Sequence, residues 1–401
     1  MNIFSKDTNS ALPGEIFIQP PCVFNFPFCV EVGDQWQTVG SGVGNSSGSI
    51  TTALGEYFER RHFYLEVLRD CSSSLEKCLR PAEVKKFIKA FDQTASSEAD
   101  LSNLACRKFN MSSVVRISDF SKCAIPTICI SLSHHGNEDD NSIYPSRDTC
   151  GCSFHKSYES AIFGSIKELL ERQFLTRFWL TKQCIGLVTP DQISKTIKAT
   201  SAYGLYNALL KSGKLAIIDI SDDSFPGVCL LTVYGSDNPS RNVHYCAGMS
   251  YAINQTAALE KSILELWQTF RFMNLFRIFR QTPDSLQDPY IRHFMKCDTY
   301  KTFKEITSNI KPSNPTSNKQ TAFGFDTQGL IQALKSQNIE AYLYIKTTKI
   351  GNTGYTFCKS VSPSLFMHMD NSKNINLIND YSARFSTSID KARKEQMVPF
   401  P

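Results

Sequence analysis

The 401-residue chain reads as a mixed α/β (α+β) protein, and three observations predict that class. Hydrophobic residues make up 41% of it and charged residues 20%, with 43 Lys+Arg against 38 Asp+Glu, a net charge of +5. A chain so apolar and so nearly neutral folds rather than staying disordered. Strand-like and helix-like segments alternate irregularly, which suits mixed sheets flanked by helices better than a strict βαβ repeat. Three long stretches carry helical periodicity. No Pro/Gly-rich break divides the chain, so the reading is one large domain over 1–401. It has an irregular N-terminal segment at 1–40 and a proline-containing tail at 395–401.

The elements follow in order. Pro13, Pro20, Pro21 and Pro27 break residues 1–40. The small-residue run from Gly40 to Ser49 leads into a helix over Ile50–Leu68, with Ser47 or Ser49 as N-cap. Residues 113–132 read as strands and His134–Ser142 as a polar loop. A second helix spans Tyr158–Lys182. Lys214–Ile220 and Gly227–Tyr234, rich in Ile, Leu and Val, read as buried strands around the turn Ser221–Pro226. A third helix spans Thr256–Phe279, residues 307–320 form a polar surface loop, and Ala341–Thr347 is a further strand.

Composition also excludes partners. Five surplus positive charges spread along the chain give no argument for nucleic acid or a membrane surface. No apolar run approaches the ~20 residues a membrane helix needs. The start lacks a basic region followed by an apolar core, so the expected location is cytoplasmic and the 14 Cys are expected to be reduced. Cys150-Gly151-Cys152 is the one close pair. It lacks zinc spacing and a second pair, which favours a plain structural role.

The chemistry-bearing pattern lies on the three helices. The first contains Thr52-Ala53-Leu54-Gly55-Glu56-Tyr57-Phe58-Glu59-Arg60-Arg61, the second Lys167-Glu168-Leu169-Leu170-Glu171-Arg172, the third Lys261-Ser262-Ile263-Leu264-Glu265-Leu266-Trp267-Gln268. Glu-x-x-Glu-Arg thus occurs twice and Glu-x-x-Gln once. Spacing of i, i+3 puts both carboxylates on one helix face, where like charges repel unless a cation joins them. Two such faces offer four carboxylates, a set suited to Mg²⁺ ions bridging a nucleotide triphosphate. The plainer reading of a single pair is a solvated helix face. Apolar neighbours such as Tyr57, Phe58, Leu169 and Leu170 argue instead for semi-buried charges, which need partners. The Gly/Ser run before the first helix is either an ordinary loop or a weak phosphate-loop signal, since Gly-x-x-x-x-Gly-Lys-Ser is absent.

Together with Arg147-Asp148-Thr149-Cys150-Gly151-Cys152-Ser153-Phe154-His155 and the ending Met397-Val398-Pro399-Phe400-Pro401, these helices resemble the YcaO family. Within it the chain is similar to the cyclodehydratase subunits of microcin-type thiazole/oxazole synthetases. The resemblance implies a YcaO fold and an ATP- and Mg²⁺-dependent enzyme that converts Cys, Ser or Thr of a ribosomal precursor peptide into thiazoline or oxazoline. It implies Glu56, Glu59, Glu168 and Glu171 as Mg²⁺ ligands, with Glu59 and Glu171 essential to catalysis. Thr52, Glu56, Ser153, Glu168, Arg172, Lys261, Glu265 and Gln268 are implied to serve ATP. The terminal carboxylate of Pro401 is implied as the proton-transfer base; in isolation the same tail reads as a frayed end. Arg172 reads equally as an intrahelical ion pair, and His62 and His155 as packing residues. Implied partners are a peptide-binding scaffold subunit related to ubiquitin-activating enzymes and an FMN-dependent azoline dehydrogenase. FMN and Zn belong to those partners. Departures are Val43 where many relatives carry Lys, Lys261 where many carry Arg, and a short Pro-x-Pro ending. Amidine or thioamide formation, or a non-catalytic subunit of the same fold, are the alternatives.

Overall fold

A computed structural model describes residues 16–18, 26–34, 38–286, 288–312, 322–370 and 373–400. Along the chain run β1 (Ile16–Ile18), β2 (Phe28–Gly33), β3 (Val39–Gly44), α1 (Ser46–Leu65), β4 (Cys71–Ser73), α2 (Leu75–Cys78), α3 (Pro81–Thr94), β5 (Phe109–Arg116), β6 (Lys122–Pro126), β7 (Cys152–His155), α4 (Tyr158–Thr181), β8 (Gly186–Leu187), α5 (Pro190–Ile197) and α6 (Tyr203–Ser212). Then follow β9 (Lys214–Asp219), β10 (Val228–Gly235), β11 (Tyr245–Ala252), α7 (Gln255–Ile278), α8 (Pro289–Lys296), α9 (Tyr300–Thr307), α10 (Thr327–Ser336), β12 (Tyr342–Ile350), β13 (Thr353–Val361) and α11 (Lys391–Lys394). This is a mixed α/β protein of antiparallel sheets and long helices, as the sequence predicts. The residues gather into two compact units, one of Met1–Leu54, Lys182–Phe325 and Val398–Pro401, the other of Gly55–Thr181 and Asp326–Met397.

The first unit holds two antiparallel sheets, β1-β2-β3 and β11-β10-β9-β8. Strand β11 is buried at all eight positions, and α7 packs across it and β10. Gly248 makes that contact close, because a Cβ there would strike the α7 backbone at Ser262 and Leu266. A buried Thr232–Ser262 hydroxyl pair, 2.8 Å apart, ties β10 to the same helix.

Residues 1–40 are therefore not irregular throughout. β1 and β2 lie there, and Val30 and Val32 alternate inward on β2 while Cys29 and Glu31 are partly exposed. The glycine run is not a loop either. Its first part is β3, paired with β2 from Val39↔Gly33 to Gly44↔Phe28. Gly42 lets this strand lie on the first turns of α1, since a Cβ there would run into the Ser49 carbonyl. α1 starts at Ser46, four residues earlier than the sequence predicts. The cap is Asn45, whose Oδ1 accepts the Gly48 N–H at 2.7 Å.

The second unit is built on a six-stranded antiparallel sheet, β4-β5-β12-β13-β7, with β6 also on β5. Phe63, Phe87, Phe91, Phe109, Met111 and Tyr342 form the centre of its core. α4 lies across β13 and β7. Gly164 permits this approach: a Cβ would come within 3.0 Å of His155 Nε2 and 3.3 Å of Ser153 Cβ. The Ser165 hydroxyl then reaches the Gly151 carbonyl at 2.7 Å and Ser360 Oγ at 2.6 Å. α4 spans Tyr158–Thr181 and α7 Gln255–Ile278, each within a residue of its expected bounds at both ends. The loop expected at 307–320 lies largely outside the described residues.

Candidate active site

The second unit brings together the carboxylates of α1 and α4. Ala53, Tyr57 and Phe63 are fully buried on α1, and the ring of Phe58 meets Phe154 of β7 at 5.9 Å. That packing carries Glu59 inward. Burial pushes its carboxyl well above the ordinary carboxylate range, and the charges of Glu168 and Glu56 push it further. The Arg60 and Lys359 cations pull the other way without restoring it. Glu56 sits one turn before Arg60 and forms an ion pair with it.

On α4, Ile166, Leu169 and Leu170 anchor the apolar face. Burial raises the Glu168 carboxyl to about 8, with the neighbouring Glu171 adding to the rise and Arg172, 4.0 Å away, opposing it. Glu171 is itself buried, 3.4 Å from Lys167. Each carboxylate is thus balanced mainly from its own helix, while Glu59 and Glu168 repel across the gap between helices.

Two residues absent from the expected set border this cluster. Lys359 is buried on β13, opposite Cys152 of β7, and its ammonium donates to the Asp148 carbonyl at 3.0 Å. The Asp148 carboxylate accepts the Cys150 N–H at 3.0 Å and the Met369 N–H at 2.8 Å, which fixes the approach to β7. A lysine inside the run Phe357-Cys358-Lys359-Ser360-Val361 was the available signal, because a cation in a buried strand needs a counter-charge.

Ser153 is buried on β7 and donates its hydroxyl to the Ala161 carbonyl of α4. His62 is a core residue: its ring stacks on Phe357 at 4.0 Å and its nitrogens lie 3.3 Å from Glu66 Oε2 and 3.2 Å from the Tyr344 hydroxyl. His155 is exposed at the end of β7. Cys150 and Cys152 are buried free thiols, pushed well up by burial, flanking Gly151 at φ +71°. A Cβ on Gly151 would come within 2.6 Å of the Ser360 carbonyl, so this run is a tight turn packed on β13.

The remaining expected residues belong to the first unit. Thr52 is exposed on α1, Lys261 and Glu265 are exposed on α7, and Gln268 is half-buried beside them. Trp267 holds this part of α7 through an N–H bond of 3.1 Å to the Pro27 carbonyl. Pro401 lies outside the described residues. The residues before it are held: Val398 and Phe400 are each 1% exposed.

Among the described residues, no three His, Cys, Asp or Glu side chains converge as one metal group. The donors come instead as pairs, Glu56 with Glu59 and Glu168 with Glu171. That suits Mg²⁺, which takes oxygen ligands and usually only one or two carboxylates, leaving its other positions to water and phosphate. The repulsion stored between Glu59 and Glu168 is what a divalent cation would relieve.

Comparison with known proteins gives the family. The profile of the YcaO cyclodehydratase family, described as ATP- and Mg²⁺-binding, matches residues 41–366. The chain belongs to the YcaO cyclodehydratase family. It is 33% identical over 405 residues to the microcin B17-processing protein McbD of Escherichia coli, covering 100% of both chains. It is also similar to a chain of the E. coli microcin synthetase McbBCD complex with pro-MccB17 bound, at TM-score 0.89 and 31% identity over 100% of both chains. A more distant likeness, TM-score 0.58 at 10% identity, is to YcaO from Methanopyrus kandleri bound with AMPPCP and Mg²⁺; it covers 88% of this chain and 85% of that one and reflects the fold alone. The YcaO profile takes in all four carboxylates, Ser153 and the three α7 residues. It ends before Pro401.

Proposed function

We propose that this cyclodehydratase forms thiazoline and oxazoline rings on a ribosomally made precursor peptide within a microcin-type synthetase. A Cys, Ser or Thr side chain attacks the preceding backbone carbonyl, ATP phosphorylates the resulting amide oxygen, and phosphate leaves. Amide oxygen is a poor leaving group, so the protein's contribution is positioning and charge stabilisation rather than a covalent protein intermediate. The observation that carries the reading is the buried, mutually repelling carboxylate pair Glu59 and Glu168 in a chain 33% identical to McbD over its full length.

In this reading Glu56, Glu59, Glu168 and Glu171 would hold Mg²⁺, which would supply charge neutralisation to the phosphate oxygens. Arg172 and Lys261 supply cations to the nucleotide, and Thr52, Ser153, Glu265 and Gln268 complete its contacts. Ser153 serves through its place on β7, since its hydroxyl proton is engaged by Ala161. Lys359 limits the net charge of the cluster and fixes Asp148. The terminal carboxylate of Pro401 accepts the proton released on cyclisation. The whole chain acts as a single cyclodehydratase domain.

The likeness to a chain of the microcin synthetase McbBCD complex with pro-MccB17 bound supports a peptide substrate and partner subunits; in this reading those partners are a peptide-binding scaffold subunit related to ubiquitin-activating enzymes and a dehydrogenase carrying FMN, with Zn on a partner rather than here. A cytoplasmic location follows from that assembly; no described helix is long and apolar enough to cross a membrane. The test is phosphate release by the purified complex with and without precursor peptide. Release in step with ring formation is expected. Precursor-independent release, or none, would overturn the reading.

A further inference from the structure

The segment Val398-Pro399-Phe400 is held by two tyrosines from different elements of the first unit. The Tyr245 hydroxyl donates to the Pro399 carbonyl at 2.7 Å, and the Tyr290 hydroxyl donates to the Phe400 carbonyl at 2.7 Å. The chain bends at Pro399, and donors on two consecutive carbonyls fix both position and rotation of the segment. The side chains of Val398 and Phe400 are buried as well.

Both tyrosines are themselves fixed. Tyr245 opens β11, is fully buried, and packs edge-on to Phe294 of α8, with ring centres 6.4 Å apart. Its backbone N–H and that of His244 donate to one Asp298 oxygen at 2.9 and 2.7 Å, while Arg277 lies 3.4 Å from the other. Tyr290 lies in the first turn of α8, where Pro289 sets the helix start and the Asp288 carboxylate accepts the Tyr290 and Ile291 N–H groups at 2.8 and 3.1 Å. Burial pushes the Tyr245 phenol well up, so it stays a donor throughout the working pH range.

We propose that Tyr245 and Tyr290 form a clamp for Val398–Phe400 and act as positioning residues for Pro401 in cyclisation. This rests on the reading that Pro401 accepts the proton. The clamp fixes the backbone of Val398–Phe400 before the reaction begins. Its effect belongs in kcat, because neither tyrosine is assigned to precursor or ATP.

The experiment uses the full chain with its partner subunits and compares Tyr290→Phe, the double variant Tyr245→Phe/Tyr290→Phe, and a chain lacking Pro401. Hydrogen exchange at the Val398 and Phe400 amides and steady-state cyclisation are both measured. Faster exchange in the tyrosine variants, with kcat down by up to about 100-fold in the double variant and KM for precursor and ATP unchanged, is the expected result. Wild-type exchange, or wild-type kcat, in the double variant would overturn the clamp. Tyr290→Phe, at a half-buried site, reports on the clamp if the Tyr245 change perturbs folding. Full activity without Pro401 would instead overturn the proton-acceptor reading, leaving hydrogen exchange to judge the clamp.

Discussion

Glu59 and Glu168 concentrate the cost of this site in two side chains. A carboxyl whose value rises on folding resists ionisation, so on its account stability is full below the unfolded value and falls as pH climbs to the folded one. Glu168 therefore makes the Mg²⁺-free protein lose stability between pH 4.5 and about 8, and Glu59 acts in the same direction. Denaturation midpoints recorded across that range with and without Mg²⁺ are expected to diverge, the metal restoring stability most at the alkaline end. Glu59→Gln and Glu171→Gln are expected to abolish ATP turnover while leaving the fold intact. Without Mg²⁺, Glu59→Gln should be at least as stable as the parent, because a repelling charge has gone. The four carboxylates were legible in the sequence because i, i+3 spacing beside apolar neighbours is a one-dimensional signal. Lys359 showed only as a cation in an apolar strand, and Asp148 not at all: the β13–β7 pairing and the turn before β7 bring them to the cluster.

The elements repeat that division. α1, α4 and α7 announce themselves through long helical periodicity, and β9 and β10 through Ile, Leu and Val. β11 reads Tyr-Cys-Ala-Gly-Met-Ser-Tyr-Ala, with no β-branched residue, and becomes a strand because both its faces are buried. β2 and β3 hide among prolines and glycines for a related reason: their pairing and the close approach to α1 outweigh weak intrinsic preference. Gly42→Val tests that approach. A Cβ at Gly42 would lie 2.6 Å from the Ala53 nitrogen, so urea denaturation should show a loss of about 1–3 kcal/mol or more. α3 offers a second test. Its Glu83 accepts the Arg80 N–H at 2.7 Å and pairs in bidentate fashion with Arg116 at 2.6 and 2.9 Å. Burial pushes the Glu83 carboxyl up, yet these bonds and charges leave it below its ordinary value. Its contribution is therefore present above pH 4.5 and lost as pH falls through the lower folded value. Glu83→Gln should cost about 3–5 kcal/mol at neutral pH and remove this acid-sensitive step from the stability curve.

At the scale of the molecule, the near-neutral charge balance and the free thiols describe an ordinary folded enzyme, and the proposed function rests on a few of its carboxylates. The chain passes between its two units within α1 and again after Thr181, Phe325 and Met397, and no run of linker residues in the sequence marks those crossings. The YcaO profile spans parts of both units. Thirteen described cysteines are free, and among the described residues no metal group uses them. The most direct test of the account is mass spectrometry of a precursor peptide incubated with ATP, Mg²⁺ and this chain joined to its scaffold subunit, without the dehydrogenase. The account predicts the loss of one water per ring, located by fragmentation at Cys, Ser or Thr and abolished in Glu59→Gln. An unchanged peptide mass, or water loss that persists without ATP, would contradict it.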